Sequence, residues 1–177
     1  YVLGISLSGT PTGIETLTIS QHSSNKIYNS AGNDFTGTVG VTLNDKTLPS
    51  ISSKLPLHND TISSNTGSIV FTYDEQVQIG TGNVTLYNNS TSETTTIPAS
   101  GTINITVQCS TSAPFTCTII FNSTSKLNDI GHLYTVTMVS GFVKDMSNNN
   151  CVAITGTNYQ FNSVDNTVPI VNSYSPI

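Results

Sequence analysis

The chain is written in short apolar–polar alternations separated by turn clusters, and that pattern leaves it little to form except β-structure. Successive side chains on a strand point to opposite faces, so a period of two marks a strand with one buried face. Tyr1, Leu3, Ile5 and Leu7 alternate in this way, as do Leu17 and Ile19, and Val39, Val41 and Leu43. The same period returns at Ile69, Phe71 and Tyr73, at Val84 and Leu86, and at Ile103, Ile105 and Val107. It continues through Cys117, Ile119 and Phe121, through Tyr134, Val136 and Met138, and at Tyr159 and Phe161. Between these runs lie turn formers such as Gly9–Gly13, Ile79–Asn83, Asn88–Ser90 and Ser147–Asn150. Helical periodicity is nearly absent. Short strands at this spacing read as a sandwich or barrel, and one inward face per strand fits two packed antiparallel sheets.

An internal repeat sets the frame. Thr47 to Leu57 aligns with Thr167 to Ile177, sharing Thr, Pro, Ser and Pro and three apolar positions at an offset of 120 residues. A second pair precedes it: Ile27 to Asn33 resembles Val143 to Asn149, and each follows a strand opened by a tyrosine, Tyr1 or Tyr134. This framing predicts that residues 1–46 are the C-terminal half of one unit. Residues 47–165 are then a complete sandwich, and 166–177 a linker or first strand of the next.

The second unit carries Pro49 to Pro56, then Phe71-Thr72-Tyr73-Asp74-Glu75-Gln76-Val77, Gly80-Thr81-Gly82-Asn83-Val84-Thr85-Leu86, Asp129 to Tyr134, and Asp145 to Asn149. In that order these motifs resemble the bacterial Ig-like domains of S-layer and large surface proteins. Two departures stand out: Asn29 replaces the turn Asp in the first copy, and Asn148 replaces the turn Gly in the second. The resemblance implies an Ig-like sandwich with a structural or adhesive role and no catalytic residues.

Composition narrows the partners. Only 8% of residues are charged and the net charge is −5, with five Lys and Arg in all. Ordinary soluble proteins are about 25% charged. No basic stripe exists to neutralise phosphates, so nucleic acid is not an expected partner. No apolar run approaches the roughly 18 residues a membrane span needs. The surface is solvated by hydroxyls and amides, as is common on secreted β-proteins, and an extracellular or cell-surface location is expected. The chain opens directly on a strand-like pattern with no signal peptide, as a processed form or part of a longer protein would.

Of the three cysteines, Cys109 shares the parity of Ile105 and Val107, and Cys117 that of Ile119 and Phe121. A hairpin turning over Ser110–Thr116 would face both toward the core, where a disulfide would stabilise by roughly 2–3 kcal/mol. It would also indicate an oxidising compartment. Cys151 is left over, free or paired outside the chain. N-glycosylation sequons stand at Asn59, Asn83, Asn88, Asn89, Asn104 and Asn122, no more than this composition produces by chance. The Asn88–Asn89 turn reads as the best exposed, and a strand would turn Asn104 outward between Ile103 and Ile105. His22, His58 and His132 have no ligand-spaced partner, so neither a zinc site nor a triad is expected. Asp74 and Glu75 are adjacent and would point to opposite strand faces, which defeats a paired-carboxylate mechanism. No cofactor is expected; Ca²⁺ on the loop acids Asp74, Glu75, Asp129 or Asp145 is the one metal entertained.

A half-sandwich cannot bury its own apolar faces. Tyr1, Leu3, Ile5 and Leu7 are therefore expected to complete a fold with strands from a neighbouring copy or an adjoining chain, with Val168 and Ile170 as the segment such a neighbour supplies. Head-to-tail contacts of this kind do not close, and they build a linear or helical array. The expected function is a structural subunit or repeat segment of an extracellular filament, pilus-like fibre or stalk, possessing no enzyme activity. The alternative is an adhesin or carbohydrate-binding module. With no Trp in the chain, its platform would have to come from Tyr28, Tyr87 or Tyr174.

Overall fold

The computed structural model describes residues 4–24, 26–62, 67–122, 127, 131–165 and 168–173. Its regular elements are all strands, and among the described residues there is no helix. The chain divides into two compact units, residues 1–47 and 48–177.

The first unit holds one antiparallel pair, β1 (Thr16–Ser20) and β2 (Thr38–Thr42). Leu17 lies opposite Val41 and Ile19 opposite Val39. The connection between them carries a closed polar turn. The Asn29 carboxamide oxygen accepts from the N–H groups of Ala31 (2.9 Å) and Asn33 (3.0 Å), and Gly32 sits at φ +82°. The strand expected over Tyr1–Leu7 is not formed where it can be followed. Tyr1 and Leu3 lie outside the described residues, and Ile5 and Leu7 are irregular and 47% and 52% exposed. Alternation makes a strand only when a neighbour completes the ladder, and Ile5 and Leu7 have none among the described residues.

The second unit contains β3 (Ile51–Leu55), β4 (Thr61–Ile62), β5 (Ser68–Tyr73), β6 (Val77–Ile79), β7 (Asn83–Asn88), β8 (Glu93–Pro98), β9 (Ile105–Cys109), β10 (Thr116–Phe121), β11 (Leu133–Met138), β12 (Val143–Asp145) and β13 (Gln160–Ser163). One sheet runs β3-β5-β10-β9 and the other β4-β13-β11-β7-β8, with β12 and β6 forming a separate ribbon. Lettered in the immunoglobulin manner, the first sheet is A-B-E-D. The second carries G-F-C with one extra strand on each side. All pairings are antiparallel except β4 with β13.

The two inner faces meet in one core. Ile69, Phe71 and Tyr73 of β5 and Cys117, Ile119 and Phe121 of β10 face Val84 and Leu86 of β7, Tyr134, Val136 and Met138 of β11, and Phe161 of β13. Phe71 meets Tyr159 edge-on at 6.0 Å between ring centroids, a favoured aromatic geometry. The buried Tyr159 hydroxyl donates to the Pro56 carbonyl (2.8 Å), which fastens the chain leaving β3 to the start of β13 in the other sheet. Burial pushes the Tyr73 and Tyr159 phenols up, with the neighbouring cysteine thiols adding to the effect at Tyr73.

The Gly-x-Gly step before β7 has a steric cause. A Cβ on Gly80 would sit 2.0 Å from the Gly141 carbonyl oxygen, and one on Gly82 2.8 Å from the Phe142 nitrogen. The backbone N–H groups of Gly80 and Thr81 donate to Phe142 and Gly141 at 2.9 and 3.0 Å. The two backbones approach directly here, with the Val139 side chain also against Gly82, and any side chain at either glycine would part them.

The turn after β12 explains the departure at Asn148. This residue has φ +69°, a region that favours Gly and in which Asn is the best tolerated of larger residues. Asn148→Val is expected to cost about 1–2 kcal/mol and Asn148→Gly nothing or less than nothing, read as opposite shifts of the thermal midpoint.

Candidate functional site: the uncovered face of the first unit

The two units share hydrogen bonds as well as motifs. Asn29 N–H donates to Asn33 O, as Asp145 N–H donates to Asn149 O, both at 3.0 Å. Asn33 N–H donates to Asn29 Oδ1 (3.0 Å), as Asn149 N–H donates to Asp145 Oδ1 (2.7 Å). Gly32 and Asn148 occupy the same left-handed position. Phe35 N–H donates to Ile27 O as Cys151 N–H does to Val143 O, and Leu43 N–H donates to Glu15 O as Ser163 N–H does to His132 O. A bridge joins Tyr28 to Asp34 in one unit and Lys144 to Asn150 in the other. These equivalences make β1 the counterpart of β11, and β2 that of β13. Leu17 faces Val41 as Tyr134 faces Phe161. The tyrosine opening β11 therefore answers to Leu17, not to Tyr1 as the sequence pattern had it.

What differs is the covering. In the second unit β11 is flanked by both β13 and β7, and β12 pairs with β6. In the first unit, among the described residues, β1 pairs only with β2. Ile27 is 57% exposed, Val39 48% and Val41 55%, whereas their counterparts Val143, Tyr159 and Phe161 are each fully buried. An open cleft of about 470 Å³ lies against Ile19, Ile27, Tyr28 and Phe35. The counterparts of Ile19, Ile27 and Phe35 are Val136, Val143 and Cys151, all part of the second unit's core. The cleft occupies the place where a core would be. Sequence reasoning placed uncovered apolar residues at Tyr1, Leu3, Ile5 and Leu7; Ile5 and Leu7 stand 47% and 52% exposed, and the structure adds the face of β1, Ile27 and β2. Val168 and Ile170 are in no strand and stand 77% and 78% exposed.

The other sequence-predicted residues are distributed as follows. Cys109 and Cys117 face each other directly across β9 and β10. Both are thiols in the structure, as is the buried Cys151. The Cys117 thiol donates to the Cys109 sulfur, which holds the half-exposed Cys109 below its ordinary range and pushes buried Cys117 up. Among the sequons, Asn59, Asn83, Asn89, Asn104 and Asn122 are exposed. Asn88 is not, and the expectation for it is corrected. Its side chain turns inward because its Oδ1 accepts from Ser90 N–H (3.0 Å) and Thr91 N–H (3.2 Å). This aims its amide at His132 Nδ1 (2.7 Å), which must accept there. Asn88→Ala is expected to cost about 1–2 kcal/mol in denaturant unfolding, because it leaves the buried His132 imidazole and the N–H groups of Ser90 and Thr91 without their partner. Asn104 precedes β9 in a turn, beside an Ile103 that is 93% exposed rather than in strand register.

Of the candidate calcium ligands, Asp74 holds Ser50 through its N–H (2.9 Å) and Oγ (2.6 Å). Asp145 is buried and bound to Asn149, its carboxylate within 4.8 Å of that of Glu75. Asp129 lies outside the described residues, as does Tyr174. The histidines do not converge: His132 meets Asn88, and His58 Nδ1 accepts from Gln160 N–H (3.1 Å). His22 Nδ1 accepts from Ser24 N–H (3.2 Å).

No protein-family model matches the chain, and no curated protein matches it in sequence. Among solved structures it is similar to CopC from Methylosinus trichosporium OB3b, at 9% identity and a TM-score of 0.45, over 69% of this chain and 99% of that one. At that level of likeness neither ligand nor activity carries over.

Proposed function

We propose that this chain is a repeat segment of an extracellular fibre or stalk, built from tandem bacterial Ig-like sandwiches. The observation that carries this reading is the cleft against Ile19, Ile27 and Phe35, positions whose counterparts form a core in the second unit. The cover that suits the cleft is the equivalent of β5–β7, with a Phe71-like ring over Val39 and a β7-like strand along the free edge of β1. A neighbouring copy offering residues 168–173 would add only the counterpart of β3. Covalent tandem repetition therefore fits the missing strands better than strand donation does. Either route gives a linear array, because each unit's open face differs from the surface that covers it. The chain's work is then mechanical, carried by ladders and cores, and needs no catalytic group.

Hydrogen exchange tests this. In the isolated chain, β1 and β2 should exchange much faster than β11 and β13. In the native assembly, which should appear as filaments by electron microscopy, the two pairs should be similarly protected. An isolated monomer in which β1 and β2 exchange as slowly as β11 and β13 would overturn the reading, as would glycan binding in the cleft.

A further inference from the structure

The cross-strand cysteines support a conclusion about chemistry that is independent of assembly. In an antiparallel ladder, directly opposed residues alternate between hydrogen-bonded and non-hydrogen-bonded pairs. Ser110 N–H donates to Thr116 O at 2.8 Å, and Asn122 N–H donates to Asn104 O at 2.9 Å. These contacts fix 110/116 and 104/122 as hydrogen-bonded pairs. Counting along the register, 109/117 is a non-hydrogen-bonded pair. Such pairs hold their Cα atoms about 4.5 Å apart with side chains close together, within the separations a disulfide spans. No backbone movement is needed to join the sulfurs. The two are also unequal: Cys117 is fully buried, between Phe71 of β5 and Cys109 of β9, while Cys109 is half-exposed at the end of β9.

We propose that Cys109 and Cys117 are an oxidisable pair that closes by exchange with a small-molecule disulfide, Cys109 reacting first, while Cys151 stays out of the exchange. The Cys109 thiolate attacks one sulfur of the oxidant. That S–S bond breaks, one thiolate leaves, and a mixed disulfide forms on Cys109. Cys117 loses its proton and attacks the Cys109 sulfur, expelling the second oxidant thiolate. Two protein thiols are oxidised, one external disulfide is reduced to two thiols, and the two protons lost by the cysteines end on the leaving groups. The Cys117 thiol resting against the Cys109 sulfur favours the thiolate where solvent can reach it. Cys151 is 1% exposed and packed within the core of the second unit.

The test is oxidation of the folded chain by glutathione disulfide. It is followed by acid quench, unfolding, alkylation with N-ethylmaleimide and intact-mass measurement with fragment mapping. The wild type should take one maleimide, on Cys151, and retain no glutathione. Cys117→Ser should stop with one glutathione on Cys109, and Cys109→Ser should take two maleimides and no glutathione. Three maleimides on the oxidised wild type, a mapped bond that includes Cys151, or glutathione retained on folded Cys109→Ser would each overturn the proposal. The wild-type outcome stands whether or not either variant folds.

Discussion

Phe161→Ala should lower the unfolding free energy of the second unit by about 3–5 kcal/mol, whereas Val41→Ala, at the equivalent position of the first unit, should move the isolated chain by no more than about 0.5 kcal/mol. Phe161 is fully buried, its ring 5.7 Å from Tyr134 and 5.8 Å from Tyr159, so truncation leaves a cavity walled by rings that cannot collapse into it. A loss of that size is a large part of the roughly 5–15 kcal/mol that holds a domain together. Val41, at 55% exposure, has little burial to lose. Denaturant titration of both variants provides the comparison. The contrast should shrink in a longer chain that carries a preceding unit. There Val41→Ala should cost about 1–2 kcal/mol, at about 0.8 kcal/mol per buried methylene. A Val41→Ala cost unchanged by the added unit would mean that nothing covers β2, and the tandem-array reading would fail with it.

Closing Cys109 to Cys117 should stabilise the second unit by about 2–3 kcal/mol, because tying a short hairpin removes loop-closure entropy from the unfolded chain. The measurement compares the urea midpoint of the oxidised chain with that of the same chain in excess reductant. The native sheet already holds both residues in facing positions, so little strain should offset the gain. The bond sits in the β9–β10 hairpin, whose ladder also runs through Ile119 and Val107. It should therefore slow hydrogen exchange there more than in β11 and β13. A chain shown to be oxidised but with an unmoved midpoint would mean that the reduced hairpin is already closed in the unfolded state.

Much of the strand inventory was legible in the residues. Leu17 and Ile19, Val39 and Val41, Phe71 and Tyr73, Val84 and Leu86, Ile119 and Phe121, and Val136 and Met138 announce strands because one face of each must leave water. β8 was not legible: Glu93–Pro98 is a threonine-rich edge strand in which Ile97 is the residue fully buried, so it carries almost no alternation. β6 and β12, three residues each, are too short to show a period and exist because they pair with one another. Ile103 has the parity of Ile105, yet it falls in the turn before β9. Parity cannot say where a ladder stops. The sequon at Asn88 failed for a similar reason. An Asn in a turn looks exposed until the turn's own N–H groups claim its oxygen and aim its amide inward.

Sequence alone determined that this chain is all-β, that the turn motif of Ile27–Asn33 recurs at Val143–Asn149, and that Cys109 and Cys117 share a hairpin, since side-chain alternation and motif order are local properties that survive in one dimension. The tertiary structure decided which positions of the repeat are actually equivalent and which apolar face of the first unit is left uncovered. It also decided that 109/117 is a non-hydrogen-bonded pair. Those depend on ladder register and on which strands lie alongside, and pairing between residues distant along the chain is written in no single segment of it.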